Sequence, residues 1–279
     1  MDCELSESSY LAFASFLHKK LGIVLGSTRQ YLVRSRLSAI ARNHHYTSLN
    51  VFLKDVINMK DHGLTDQCLE LMTTNETFWF RDVYPFSLLI TDILPNLNKN
   101  QKKLRIWSSA CASGQEPYSI AMTIADYKRD NPHAFLGGVE ILATDFSTKM
   151  IAASSAGIYD ELALARGLDN HYRQRYFVPV EGKQHKNSMQ LNGSIKGMVN
   201  FKRFNLLSDY STLGKFDIIF CRNVLIYFDG NQKAEILKKF AACLPKSGAL
   251  LLGAAESITG ADTIFKMQSV SKGLYYSKL

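Results

Sequence analysis

Cysteine is scarce in this 279-residue chain, and the five present follow no pattern. Cys3, Cys68, Cys111, Cys221 and Cys243 are odd in number, dispersed and never spaced as Cys-x-x-Cys. That excludes a disulfide framework and fits a reducing compartment, the cytoplasm. The seven histidines show no His-Glu-x-x-His or comparable spacing, so no metal site is expected. Prolines number only six and charged residues make up 21%, against extended disorder. No apolar run approaches the ~20 residues needed to span a bilayer. The start, Met1-Asp2-Cys3-Glu4, is acidic and lacks the basic-then-apolar order of a signal peptide. Membrane insertion is therefore not expected.

Acid is missing from one place in particular. Between Ser8 and Lys54 there is no Asp or Glu. The same stretch carries Lys19, Lys20, Arg29, Arg34, Arg36, Arg42 and Lys54, beside His18, His44 and His45. Against a formal net charge of +8, this is a local concentration of positive field, which speeds encounter with an acidic surface.

What is present divides the chain in two. The first ~75 residues have helical periodicity. Tyr10 to Leu21 forms one amphipathic run, with Gly22 as its stop. Thr28 is placed to cap a second helix through Ile40, on which Arg29 and Arg36, seven apart, share a face. Leu49 to Met59 and Asp66 to Met72 predict two more helices.

From residue 104 the rhythm changes to alternating strands and helices. Strands are predicted at Leu104–Ser109, Val139–Asp145, Phe216–Cys221, Ala249–Gly253 and Gly273–Ser277, with helices at Glu116–Lys128 and Asn231–Leu244. Pro117 suits a helix first turn, and Ser147 can cap the helix after the second strand. Such alternation means a parallel sheet covered on both faces. The stretch 172–204 interrupts it. Asn192-Gly193, flanked by Leu191 and Ile195, gives a hairpin signal, so this stretch reads as a small antiparallel insert.

The loop after the first strand, Ala110-Cys111-Ala112-Ser113-Gly114-Gln115-Glu116, opens a helix as a nucleotide loop does. It lacks Gly-x-Gly-x-x-Gly, and Gly-Lys-Ser/Thr occurs nowhere. Small residues without a phosphate cradle suit a nucleoside. Asp145, closing the second strand, can accept both ribose hydroxyls; alone, it can equally cap the next helix.

Five segments together resemble the chemotaxis receptor methyltransferases, the CheR family. They are Thr74-Asn75-Glu76-Thr77-Phe78-Trp79-Phe80-Arg81, the run Ser113 to Ala121, Ala143-Thr144-Asp145, Asn205-Leu206-Leu207, and the run Phe216 to Asp229 containing Cys221-Arg222-Asn223-Val224-Leu225-Ile226-Tyr227-Phe228. The resemblance spans nearly the whole chain. It implies an all-helical N-terminal domain (1–75), a linker (76–98) and a Rossmann-like class I methyltransferase domain (99–279) of α/β class, with the β insert at 172–204. It implies S-adenosylmethionine as cofactor, S-adenosylhomocysteine as product and chemoreceptor glutamates as acceptors, for adaptation in bacterial chemotaxis.

By the same resemblance Asn75, Thr77 and Arg81 contact the cofactor. Glu116 and Asp145 bind its amino and ribose groups, and Asn205, Leu206, Asn223 and Val224 line its adenine and methionine side. Singly, each has a structural alternative. Asn75 and Thr77 can cap a following helix, Glu116 can complement a helix dipole, and Asn223 can satisfy backbone at a strand end. Phe78, Trp79 and Phe80 are expected to pack the junction between the domains.

A glutamate side chain, pKa ~4.3, is already an ionised nucleophile at neutral pH, so no general base is needed. That agrees with a sequence lacking a Gly-x-Ser-x-Gly motif or an evident Ser-His-Asp set. Arg81 is assigned to hold the cofactor carboxylate or orient the incoming glutamate, and Tyr227 to hydrogen-bond near the transferred methyl. Arg29, Arg34, Arg36 and Arg42 are expected to recognise the glutamate-rich helical region of the receptor. The family's insert can take a short peptide from the receptor's carboxyl terminus. Here it has no Gly-x-Gly loop and carries Lys183-Gln184-His185-Lys186 instead, which counts against tethering. A monomer is the default.

Two other readings compete. Methylation of RNA or DNA is compatible with the basic charge, yet no Asn/Asp-Pro-Pro-Tyr/Phe motif or nucleic-acid module occurs, so no nucleic-acid partner is expected. A binding module that has lost turnover is opposed by the intact Asn75, Thr77, Arg81, Glu116 and Asp145 set.

Overall fold

The computed structural model describes residues 4–97, 102–180 and 187–279. The chain forms two compact units: residues 1–74 with 227–232, and residues 75–226 with 233–279. Residues 75–98 thus group with the second unit.

The first unit contains four helices: α1 (Glu7–Leu21), α2 (Gln30–Asn43), α3 (Leu49–Ile57) and α4 (His62–Met72). Two of them are capped by side chains. Ser6 caps α1 by accepting from Ser9 N–H, and Gly22 ends it in the left-handed region at φ 75°. Asp61 caps α4 by accepting from Leu64 N–H at 3.0 Å. For α2 the expected Thr28 cap is not made: the capping position is Arg29, without a side-chain hydrogen bond. Apolar residues at helical spacing face one core: Tyr10, Phe13 and Leu17 from α1, Val33 and Leu37 from α2, Phe52 and Val56 from α3, Cys68 and Met72 from α4.

The second unit opens with α5 (Tyr84–Leu88), which runs through a π-turn into α6 (Leu94–Leu97). Then follow β1 (Leu104–Ser108), α7 (Gln115–Asp130), β2 (Val139–Asp145), α8 (Thr148–Ala156), β3 (Ile158–Tyr159), α9 (Glu161–Ala165), α10 (Asn170–Tyr176), β4 (Phe177–Pro179) and β5 (Met189–Leu191). The remainder is α11 (Gly193–Lys196), β6 (Val199–Arg203), β7 (Ile218–Cys221), α12 (Gly230–Cys243), β8 (Ala249–Leu252), β9 (Phe265–Val270) and β10 (Gly273–Lys278). Seven strands form one sheet in the order β6-β2-β1-β7-β8-β10-β9. The first five are parallel, and β10 and β9 close the edge antiparallel. The strand order reverses between β1 and β7, which opens a crevice at the carboxyl ends of the strands.

The insert differs from its expected form in three ways. Its small sheet, β3-β5-β4, begins before residue 172 and ends at Leu191. Asn192-Gly193 does not turn a hairpin: the Asn192 side chain accepts from Ile195 N–H and starts α11, letting Ile195 bury. Val199–Arg203 is not insert at all but the parallel edge strand of the main sheet, paired with Ile141–Asp145. The loop Lys183–Lys186 lies outside the described residues.

The aromatic run also sits elsewhere than expected. Trp79 is fully buried against Tyr159 and Phe177, and Phe80 stacks on Tyr172, all within the second unit. Phe78 lies under the guanidinium groups of Arg81 and Arg166. A large apolar surface gains most where it is dry, and the insert and sheet provide that core.

Cys68, Cys111, Cys221 and Cys243 are all buried and unbridged. Burial pushes the Cys68 thiol up to about 12 and those of Cys111 and Cys221 well above the usual thiol range. The thiolate is the reactive form, so these groups are inert near neutral pH. A Cys3→Ser variant titrated with Ellman's reagent at pH 8 is expected to show no fast thiol until denaturant is added. A rapid equivalent in native protein would contradict this burial.

Candidate active site

The sheet directs its carboxyl-end loops to one rim. Asp145 closes β2, the turn Ala110–Gly114 follows β1, Asn205 and Leu206 follow β6, and Asn223 and Val224 follow β7. Asp145 is buried, and its carboxylate accepts from Ala112 N–H and Ser147 N–H, each at 2.9 Å. One acid therefore fixes both the turn after β1 and the start of α8. Ser147, not Asp145, is the side-chain cap of α8.

Asn205 Oδ1 accepts from Leu207 N–H at 2.9 Å, an Asx turn beside the buried Leu206. Asn223 takes a left-handed backbone at φ 57°, tolerable for asparagine and costly for most residues. Its Oδ1 is buried, with no hydrogen-bond partner among the described residues.

Glu116, in the first turn of α7, is committed on both oxygens. Ser108 Oγ donates to one at 2.8 Å, and Arg222 Nη1 to the other at 2.9 Å. Arg222 was legible only as part of a motif, and the structure makes it a hub. Its side chain is 1% exposed; its Nη2 donates to Asp82 Oδ2 at 2.7 Å and to the Arg81 carbonyl at 2.6 Å. A buried guanidinium is tolerated here because two carboxylates and a carbonyl surround it.

That link brings the segment 75–83 to the rim. The segment is anchored further by Trp79 N–H donating to the Arg166 carbonyl and Phe80 N–H to Ser119 Oγ, both at 3.1 Å. The Arg81 side chain is oriented by its bond to the Glu76 carbonyl at 3.2 Å and by the Phe78 ring, 5.4 Å away. Asn75 and Thr77 lie in coil, and the next helix begins only at Tyr84, so neither is a helix cap.

Tyr227 groups with the first unit, where its carbonyl accepts from Val24 N–H at 3.2 Å. In that unit Arg29, Arg34 and Arg42 are exposed. Arg36 is otherwise engaged: it donates to the carbonyls of Met72 at 2.8 Å and Thr73 at 3.0 Å, sealing the carboxyl end of α4. Among the described residues no helix is long and apolar enough to cross a membrane, and no cluster of three His, Cys, Asp or Glu is placed to hold a metal.

A doubly wound sheet with a small-residue turn after its first strand and an acid closing its second is a Rossmann-like nucleoside-binding domain. The residues present fit an adenosine group. A Cβ at Gly114, where φ is 95°, would lie 2.7 Å from Ser154 Cβ and 2.9 Å from the Tyr159 hydroxyl, so the tight turn requires glycine. The orphaned Asn223 Oδ1 is an acceptor suited to a ligand N–H or O–H.

Comparison with known proteins then specifies the class. Residues 75–274 match the CheR methyltransferase SAM-binding domain, and residues 8–73 the CheR methyltransferase all-alpha domain. Chemotaxis protein methyltransferase 1 of Vibrio cholerae is 45% identical over 273 residues, covering 98% of this chain and 97% of its own. Chemotaxis protein methyltransferase 1 of Pseudomonas aeruginosa is 42% identical over 273 residues, covering 97% and 98%. The chain belongs to the CheR methyltransferase family. It is a SAM-dependent methyltransferase of chemotaxis, with S-adenosylmethionine as its cofactor.

Proposed function

We propose that the protein transfers the methyl group of S-adenosylmethionine to glutamate side-chain carboxylates of chemoreceptors, yielding glutamate methyl esters and S-adenosylhomocysteine. The observation that carries this reading is the match to both CheR domains, catalytic and all-alpha, in one chain. The acid-free stretch with exposed Arg29, Arg34 and Arg42 suits the acidic helical region of a receptor. The protein works in the cytoplasm as a monomer, without nucleic acid. Recognition runs through α2 rather than through a tethering peptide.

The cofactor, when bound, supplies an electrophilic methyl on a sulfonium. The chain's residues supply position and a dry site. Asp145 binds the ribose hydroxyls while holding the Ala112 turn. Asn223, Val224, Asn205 and Leu206 line the base and methionine side, and Asn75 and Thr77 complete the contacts. Glu116 receives the amino group at a carboxylate already shared with Arg222. Arg81 holds the cofactor carboxylate or orients the incoming glutamate, and Tyr227 hydrogen-bonds near the transferred methyl.

Charge is destroyed in this step, so exclusion of water favours the transition state over the ions. A cation gripping the reacting carboxylate would instead favour the ground state. Arg222 avoids this, its charge being bound to Asp82 and Glu116.

Mass spectrometry of receptor peptides after incubation with S-adenosylmethionine tests the chemistry. One added methyl on glutamate is expected; modification only on lysine or nucleic acid would sink the reading. Docking is tested by charge reversal. Arg34→Glu with Arg42→Glu is expected to raise KM for receptor on the order of 10-fold at low ionic strength, with kcat little changed. An unchanged KM would remove α2 from recognition. Arg36→Ala is expected to act differently, lowering melting temperature through the loss of its bonds to the α4 terminus.

A further inference from the structure

Glu256 lies outside the five family-like segments, in the turn after β8. Its side chain nevertheless organises the loop after β7. Oε1 accepts from Val224 N–H at 2.8 Å, Leu225 N–H at 2.7 Å and Ile226 N–H at 3.3 Å. Oε2 accepts from Asn223 N–H at 2.7 Å and Gly253 N–H at 2.8 Å. Five backbone donors from two loops thus converge on one carboxylate.

Successive N–H groups pointing inward form a concave anion nest, and here the protein fills it with its own side chain. Bonds to an ionised acceptor are the strong ones, and each of these donors would be left without that partner if the carboxylate were lost. The surroundings are built for this contact. A Cβ at Gly253 would lie 2.7 Å from Glu256 Oε2 and 2.9 Å from Asn223 N, so the two loops approach this closely only with glycine there. Asn223 is held in its left-handed conformation while its own Oδ1 stays buried and unpartnered. The loop's shape is therefore imposed from 33 residues away.

We infer that Glu256 is a positioning residue for the cofactor: by gathering the N–H groups of Asn223 to Ile226, it sets the pose in which Asn223 and Val224 meet S-adenosylmethionine. This rests on the reading of Asn223 and Val224 as cofactor-lining. Its carboxylate is taken up by these five backbone donors, so it acts through the loop. Misplacing such a loop by ~1 Å can cost about 100-fold in a reaction step, and here the cost falls on the cofactor contacts.

The test uses the full chain and reads the two substrates separately. In Glu256→Gln the amide offers one acceptor oxygen and turns an NH2 toward backbone donors. The expected result is a KM for S-adenosylmethionine raised about 10- to 100-fold, with the KM for receptor unchanged. The Kd for S-adenosylhomocysteine by calorimetry should rise in parallel. Glu256→Asp keeps the charge and is expected to fall between wild type and the amide. It also decides the question if the amide variant does not fold.

General destabilisation would reduce the active fraction, and so apparent kcat, with both KM values unmoved. That result, or wild-type affinity in the folded variants, overturns the assignment. Failure of the wild-type protein to bind S-adenosylhomocysteine would overturn the cofactor-site reading on which it rests.

Discussion

Asp145→Ala is expected to weaken binding of S-adenosylmethionine by about 100-fold or more. A charge-assisted hydrogen bond contributes roughly 1.5–3 kcal/mol, and a ribose diol makes two. The same carboxylate accepts from Ala112 and Ser147 N–H groups, so its removal also loosens the turn after β1. Asp145→Asn keeps one acceptor oxygen and should fall between. Calorimetric titration with S-adenosylhomocysteine measures both. Loss of less than about threefold, well under one such bond, would mean that Asp145 serves only the turn.

Arg222→Met is expected to be the most destabilising single change in the second unit. The substitution leaves Glu116, with a side chain 11% exposed, and Asp82 without their cation. Breaking a buried pair in this way costs about 3–5 kcal/mol. For a chain of this size that corresponds to a fall on the order of 10 °C in melting temperature. Urea denaturation followed by circular dichroism gives the value. A loss under about 1 kcal/mol, the level of an exposed ion pair, would contradict the hub. Arg222→Lys should recover little, since one ammonium cannot serve Asp82, Glu116 and the Arg81 carbonyl in the planar geometry seen here.

The interior strands were readable from sequence because they are buried on both faces. Ile218–Cys221 and Ala249–Leu252 are continuous apolar runs, and the structure buries every residue of each. The edge strands were not. Val199–Arg203 and Phe265–Val270 mix exposed and buried positions and carry charged or polar side chains, so the first reads as part of the insert and the second gives no strand signal. The hairpin signal at Asn192-Gly193 failed because asparagine caps helices as readily as it turns strands.

The placement of Asp145, Asn205 and Asn223 at or just beyond strand ends was legible through motif order. Arg222 stood inside a quoted motif, yet nothing in a sequence announces that an arginine will be buried between two acids. Glu256 had no local signal at all, since its partners are backbone groups of a loop far along the chain. The aromatic run was misplaced because three adjacent rings need not share one environment. Trp79 is buried with the insert, while Phe78 sits under two guanidinium groups.

Methyl transfer to receptor carboxylates is tested most directly with methyl-tritiated S-adenosylmethionine and membranes carrying the organism's own chemoreceptors. Base-labile, volatile label in the receptor band, lost with Arg81→Ala, is the expected result. No label across the whole receptor set, with S-adenosylhomocysteine binding intact, would contradict it and point to another methyl acceptor.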